Sequence, residues 1–275
     1  MLKAGVVGFL PDDRSKTEET WKLLEKYAEI GYRAMDMDLD YAIPGGDIKE
    51  KYERVCSLGI KPIMSGASPE VFQDPAAKIK SLHIQEINQV CMYSSSMIAS
   101  FRRGYGSNAG YDEVMQDFEF MNKAVLFFES EGIHFCYHNH YQEFTTCYNG
   151  ISGFDLMLLH VDPRLKFNID LGWAMVAGLD PVKLLKRLEG RIANVHLKDF
   201  YDLEAPKHIL NSDPSTKVGF TSLGSGLLPV DPILEEMDRQ GLSYACVEQD
   251  VLRHLDRVQT LTASYLRMKE SGYVK

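Results

Sequence analysis

Short apolar runs alternate with longer amphipathic stretches almost from end to end of this chain, and that alternation leaves few architectures open. The apolar runs fall at 3–9, 33–37, 61–65, 86–93, 133–139, 166–170, 193–198 and 244–249. The amphipathic stretches fall at 17–30, 48–58, 75–82, 112–131, 153–160, 181–188, 232–240 and 252–271. The first set reads as buried strands and the second as helices with one apolar face. Gly31, Gly59, Gly132, Gly190 and Gly241 follow five of the helices, at the position where a left-handed residue closes a helix. Eight strand–helix units predict an α/β fold, a single (β/α)8 TIM barrel with 1–275 as one domain. The rival is an open doubly wound sheet, but the turn after the first run lacks the G-x-G-x-x-G phosphate-binding pattern.

Composition narrows the chemistry. With 275 residues, 45% hydrophobic and 25% charged, the chain can bury a large core without covalent staples. A net charge of −9 with no run of lysines and arginines repels polyanions, so no nucleic-acid partner is expected. The five cysteines are scattered and never spaced as C-x-x-C, which argues against a disulfide framework and for a reducing compartment. The first apolar run is short and soon meets Asp12 and Asp13, and no later segment approaches the ~20 apolar residues of a spanning helix. The expectation is a cytoplasmic protein with no membrane partner.

Chemistry gathers at the ends of the late strands. The segment 166–200 reads strand, helix, strand, and each strand stops at a metal-competent side chain, Asp170 and His196. The fifth run leads into YHNHYQEF (137–144), and the eighth ends at Glu248. In a parallel barrel these ends share one mouth. A site of three carboxylates and one imidazole suits hard or borderline divalent ions better than thiolate or multi-histidine zinc sites do. A lone Asp, His or Glu at a strand end is more often a cap than a ligand; four on consecutive strands point to a metal. Alternation puts His138 and His140 on one face of the fifth strand and Tyr137 with Asn139 on the other. The two histidines are placed for proton transfer or ligation, or for hydrogen bonding inside the barrel. Glu143 follows the strand end, so its carboxylate must curl back to reach an ion. Lys198 shares the face of His196 and either holds a developing enolate oxygen or pairs with a nearby carboxylate such as Asp199. Trp173 offers an indole face to a sugar ring, or simply packs.

Jointly, YHNHYQEF, DLGWAMVAG, GRIANVHLKD and VEQD resemble the sugar phosphate isomerase/epimerase family, the xylose-isomerase-like TIM barrels. GYRAMDMD and the G-S-G loop before the eighth strand extend the resemblance over nearly the whole chain. It implies one divalent ion, Mn²⁺ first with Mg²⁺, Co²⁺ or Zn²⁺ as alternatives, held by a Glu, Asp, His, Glu set. Asp170, His196 and Glu248 match three of those positions directly. The first position departs from the pattern. Relatives that epimerise free keto sugars carry the glutamate inside the fifth strand, and here His138 lies near that place. Either Glu143 supplies the carboxylate from a shifted position, which is the reading favoured, or His138 ligates. Trp173 departs as well, standing where many epimerases have a substrate-touching histidine.

The activity implied is proton abstraction beside a carbonyl of a small carbohydrate, giving isomerisation or epimerisation. Glu248 is the expected base and Glu143 or His138 the partner acid, with Lys198 at the enolate oxygen and His140 and Trp173 against the substrate. Loss of a β-substituent from the same intermediate would make the chain a lyase on 3-keto-glycosides or a keto-inositol dehydratase. A non-catalytic sugar-binding barrel is the alternative of another class. The long connections 94–111 and 199–229 are expected to wall the mouth. The apolar residues between Met115 and Phe128 exceed one buried stripe, so the helix either meets a second subunit or packs with a few apolar residues exposed.

Overall fold

The computed structural model describes residues 1–98, 109–208, 219–252 and 254–275. Parts of the two long connections, 99–108 and 209–218, therefore lie outside the described residues. Eight strand positions are occupied: β1 (Lys3–Val7), β2 (Ala34–Met35), β3, β4 (Gln89–Met92), β5 (His134–His138), β6 (Lys166–Asp170), β7 (Ile192–Leu197) and β8 (Tyr244–Glu248). The third is interrupted. Its first piece, Lys61–Pro62, pairs with β2, and its second, Ser65–Gly66, pairs with β4. Pro62 has no N–H to give to a ladder, which suits the break. Because the two pieces of β3 stand at opposite ends of the strand order, the parallel sheet closes on itself.

Helices follow the strands in turn: α1 (Thr17–Ile30), α2 (Ile48–Ser57), α3 (Pro75–Ile84), α4 (Tyr111–Ser130), α5 (Gly153–His160), α6 (Pro181–Arg187), α7 (Val230–Arg239) and α8 (Arg257–Glu270). Local chemistry fixes their starts. Asp47, Asp74, Ser152, Asp180 and Asp256 each accept a backbone N–H of the first turn. At α8 the cap corrects the sequence reading, which began the helix at 252. Asp256 accepts from Gln259 N while the Gln259 side chain accepts from Asp256 N, and this reciprocal box starts the helix at Arg257. At the other ends, Gly190 and Gly241 have φ of 80° and 72°, the left-handed closure expected of them.

The two-residue period of the strands builds the site. Ala34, Cys91, Cys136 and Cys246 point inward and fill the barrel with a small apolar cluster. Two residues further along the same faces come Asp36, Tyr93, His138 and Glu248, at the carboxyl ends. The intervening residues, such as Tyr137, Phe167 and Val195, join the larger core between strands and helices. On α4, Phe120 and Phe127 meet Phe72 edge-on at 5.9 and 5.3 Å, so part of its surplus apolar surface is covered within the chain. No helix among the described residues is long and apolar enough to cross a membrane.

Candidate metal centre and active site

Four side chains from four consecutive strands converge: His138 (β5), Asp170 (β6), His196 (β7) and Glu248 (β8) each offer one ligand atom, all within 4.8 Å of one another. Register explains the convergence. His196 is paired with Asp170 on β6 and with Cys246 on β8, so Glu248 lies one inward step beyond its partner. Asp170 is a helix cap and a candidate ligand at once. Its Oδ1 accepts from Trp173 N at 2.9 Å, starting the short helix Leu171–Val176. Its Oδ2 is buried without a hydrogen bond among the described residues, as is His138 Nδ1. Asp170 Oδ2 does stand 3.2 Å from Lys198 Nζ, an ion-pair distance without hydrogen-bond geometry. Two further contacts fix this corner. Asn139 pairs its carboxamide with the backbone of Asp170, accepting from Asp170 N at 2.8 Å and donating to its carbonyl at 3.0 Å. A Cβ on Gly172 would overlap the Lys198 carbonyl, so only glycine lets the short helix lie against the end of β7.

Charges inside the group are balanced by proximity. Lys198, 1% exposed, stands 3.2 Å from Asp170, 3.2 Å from Glu248 and 3.1 Å from Asp250. Burial works to lower the Lys198 pKa, but Asp170, Asp250 and Glu248 outweigh it and the ammonium is held protonated. Burial likewise opposes the charge on Glu248, yet Lys198 and His196 bring its carboxyl well below the usual range. For Asp170 burial wins over Lys198, and its carboxyl is pushed up to about 6. Burial would lower His196, but Asp36 and Glu248, each with an oxygen 2.7 Å from a ring nitrogen, raise it to about 10. His138 is driven well below its ordinary value by burial and then by the neighbouring His196. His140 is brought down to about 3, chiefly by burial and then by Lys198. Both of these rings are neutral at physiological pH.

Glu143 stands outside the group. It lies on the short helix Gln142–Thr145, fully buried, and accepts from Tyr137 Oη at 2.7 Å and from His140 N at 3.0 Å. Tyr137 Oη is also 2.8 Å from Ser95 Oγ; since the phenol has one proton, Ser95 donates to it while it donates to Glu143. Burial, partly offset by the Tyr137 hydrogen bond, pushes the Glu143 carboxyl up to about 7. Tyr137 faces away from the barrel axis, and Glu143 curls back to that outer side. Trp173, 3% exposed, is enclosed by Phe200, Tyr141, Phe220 and His140 at ring distances of 5.2 to 6.0 Å, with Lys198 Nζ 5.1 Å from its ring centre. Its Nε1 and His140 Nδ1 are buried without hydrogen-bond partners among the described residues. Asp199, the alternative partner for Lys198 in the sequence reading, is occupied elsewhere: it accepts backbone N–H groups of Phe200, Gly224, Gly226 and Leu228 and ties the start of its loop to the end.

Two residues of this site escaped the sequence reading. Asp250 holds Lys198 with both carboxylate oxygens at 3.1 and 3.2 Å, and Asp36 accepts from His196. Asp36 stands directly beyond the second strand, so the strand-end criterion applied to the late strands would have found it. Beside the group opens a recess of about 440 Å³, bordered by Asp36, Tyr41, Tyr93, Glu248 and Asp250, within the range of small-molecule sites.

A family model for the xylose isomerase-like TIM barrel matches residues 24–251. The chain belongs to this family. Inosose dehydratase from Geobacillus kaustophilus (strain HTA426) is 26% identical over 257 residues, covering 90% of this chain and 68% of that one. Among solved structures, a sugar phosphate isomerase/epimerase from Parabacteroides distasonis ATCC 8503 superposes with a TM-score of 0.72 at 19% identity, over 99% of this chain and 100% of the other. A probable 3-DHS dehydratase from Bacillus anthracis gives 0.71 at 14% identity, over 98% and 99%. The xylose isomerase-like relatives are thus enzymes of at least two outcomes on one barrel, isomerisation or epimerisation and dehydration.

Proposed function

We propose that this xylose isomerase-like barrel is a divalent-metal enzyme that removes the proton beside the carbonyl of a sugar or sugar derivative. The observation that carries the proposal is the convergence of His138, Asp170, His196 and Glu248. Their chemistry fits an ion: two imidazoles and two carboxylates, with Asp170 Oδ2 and His138 Nδ1 buried and without a hydrogen bond among the described residues. In this reading His138, rather than Glu143, completes the donor set. A divalent ion held there supplies Lewis-acid polarisation of a carbonyl and its neighbouring hydroxyl. Mn²⁺ is the first expectation for this mixed oxygen and nitrogen set, with Mg²⁺, Co²⁺ or Zn²⁺ as alternatives.

The chain's own residues supply the rest. Glu248, ionised and bordering the recess, takes the proton from carbon. Lys198, held protonated and 3.2 Å from Glu248, places a fixed positive charge where negative charge develops on oxygen. Asp250 orients that ammonium. Neutral His140, through Nδ1, and the indole N–H of Trp173, neither with a hydrogen-bond partner among the described residues, are placed to bond substrate hydroxyls. The tight packing around the indole leaves it as a wall under Lys198 more than as an open platform for a sugar ring.

Delivering a proton to the same carbon from the opposite face gives epimerisation, and delivering it to the adjacent carbon gives isomerisation. A second reading, dehydration, is favoured by one observation: neutral His138 stands on the fifth strand while the Glu143 carboxylate is turned to Tyr137. With His138 neutral and Glu143 turned away, Glu248 is the one base this reading assigns, which suits elimination better than proton exchange between two faces. The similarity to an inosose dehydratase supports the same reading.

Turnover of keto sugars, their phosphates, keto-inositols and 3-keto-glycosides in D₂O, followed by NMR, separates the outcomes. Deuterium at carbon with every substituent kept means isomerisation or epimerisation; loss of a hydroxyl or glycosyl group means a lyase. Metal analysis accompanies it. If Asp170→Asn and His196→Ala left both metal content and turnover unchanged, the proposal would fail.

A further inference from the structure

Asp36 is a buried carboxylate, 2% exposed, with no ion pair to a lysine or arginine among the described residues. A carboxyl group is buried at a cost unless its oxygens find hydrogen-bond partners. Four donors meet this one. Tyr93 Oη donates to Oδ1 at 2.6 Å, while Asn168 Nδ2 at 3.1 Å, Asn194 Nδ2 at 2.6 Å and His196 Nε2 at 2.7 Å all donate to Oδ2. These donors come from the end of β4, from β6 and from β7, so Asp36 is anchored to three strand positions beyond its own.

We infer that Asp36 is a positioning residue for the metal centre: by accepting from His196 Nε2 it turns the imidazole so that Nδ1 presents its lone pair to the ion. The inference rests on reading His196 as a metal donor. Imidazole can offer only one nitrogen to an ion, and the bond made by the other decides which one. Here the division is visible: Nε2 faces Asp36, and Nδ1 stands 2.7 Å from Glu248 Oε2, on the side of the converging group. Asp36 does not serve as a fifth ligand. It is not one of the four converging donors, and its Oδ2 is taken up by Asn168, Asn194 and His196 while Oδ1 holds Tyr93. Its influence therefore reaches the ion only through His196. The two asparagines and Tyr93 complete the device, since they fix the carboxylate that fixes the ring.

Graded substitution tests this. Asp36→Asn can turn its NH₂ toward Tyr93, whose oxygen also accepts, and still present an oxygen to Asn168, Asn194 and His196. Asp36→Ala removes the acceptor altogether. Mn²⁺ and Zn²⁺ affinities, read by competition with a chromophoric chelator, are expected to weaken about 10–100-fold for Asp36→Ala and by less for Asp36→Asn. In the Zn²⁺-loaded wild type, ¹⁵N spectra are expected to show the His196 proton on Nε2. That assignment is lost in Asp36→Ala, and a merely structural role would leave it unchanged. Unfolding midpoints of the metal-free proteins identify any variant that does not fold, in which case Asp36→Asn alone decides. Metal affinities of both variants within twofold of wild type, with the Nε2–H signature retained, would overturn the inference while leaving the metal centre intact. If wild type itself binds neither ion, the inference falls together with the proposed function, whereas wild-type binding that Asp170→Asn abolishes and the Asp36 variants leave unchanged overturns the inference alone.

Discussion

His138 and Glu143 show how much a single side chain's direction decides. His138 points inward from β5 and joins the group, whereas Glu143 turns back onto the outer face and bonds Tyr137. Burial lifts the Glu143 carboxyl to about 7, well above its unfolded value, and this has a consequence for stability. An acid whose folded pKa is raised stays protonated in the folded state after it has ionised in the unfolded one. Stability is therefore lost as pH rises from about 4.5 to about 7, and no further change from this group follows above that window. Glu143→Gln, which is neutral throughout, is expected to gain on the wild type across this window. Urea unfolding of both proteins at pH 5 and pH 8 checks it: a stability difference that does not grow in favour of Glu143→Gln at pH 8 counts against a raised carboxyl. Asp170 teaches a related lesson. The cap and the ligand were rival readings of one residue, yet Oδ1 does the first and Oδ2 is left for the second.

The strands, helices and their caps were legible because each rests on local chemistry. The eight apolar runs became the eight strand positions, and α1 and α5 have the bounds read from the sequence. What the pattern could not carry were the short helices after β5 and β6, which hold Glu143 and Trp173. Each is less than two turns long and depends on tertiary contacts for its place, since so short a helix has little stability of its own. The helix Leu171–Val176 is the more consequential, because Gly172 lets it lie against the backbone of Lys198. Gly172→Ala forces a methyl into that backbone, which cannot give way as a flexible side chain would. The short helix must shift, and Asp170 with it. A fall in unfolding midpoint worth about 1–3 kcal/mol, together with weaker metal binding, is expected. Calorimetry and chelator competition on the same preparation read both; a variant with wild-type values in each would remove the helix from the account of the site.

Over the whole molecule, the donors reach the mouth from four strands of a closed sheet, so binding one ion ties together a long arc of the barrel. An ion that binds the folded chain and not the unfolded one stabilises it by mass action, about 2.7 kcal/mol at a hundred times Kd. Saturating Mn²⁺ is accordingly expected to raise Tm by several degrees, and chelation to reverse the rise. Scanning calorimetry at increasing metal concentration tests this, with Asp170→Asn expected to show no rise; an equal rise in that variant would place the ion elsewhere.

The sequence by itself determined the barrel, the mouth where chemistry collects, and Asp170, His196 and Glu248 as residues at its rim, because strand period and helix caps are written in neighbouring residues. The tertiary structure alone decided that His138 rather than Glu143 enters the group, that Lys198 sits among three carboxylates, and that Asp36 holds His196 across the barrel from a separation of 160 residues. Such choices depend on which faces meet when the sheet closes, and no local pattern carries that information.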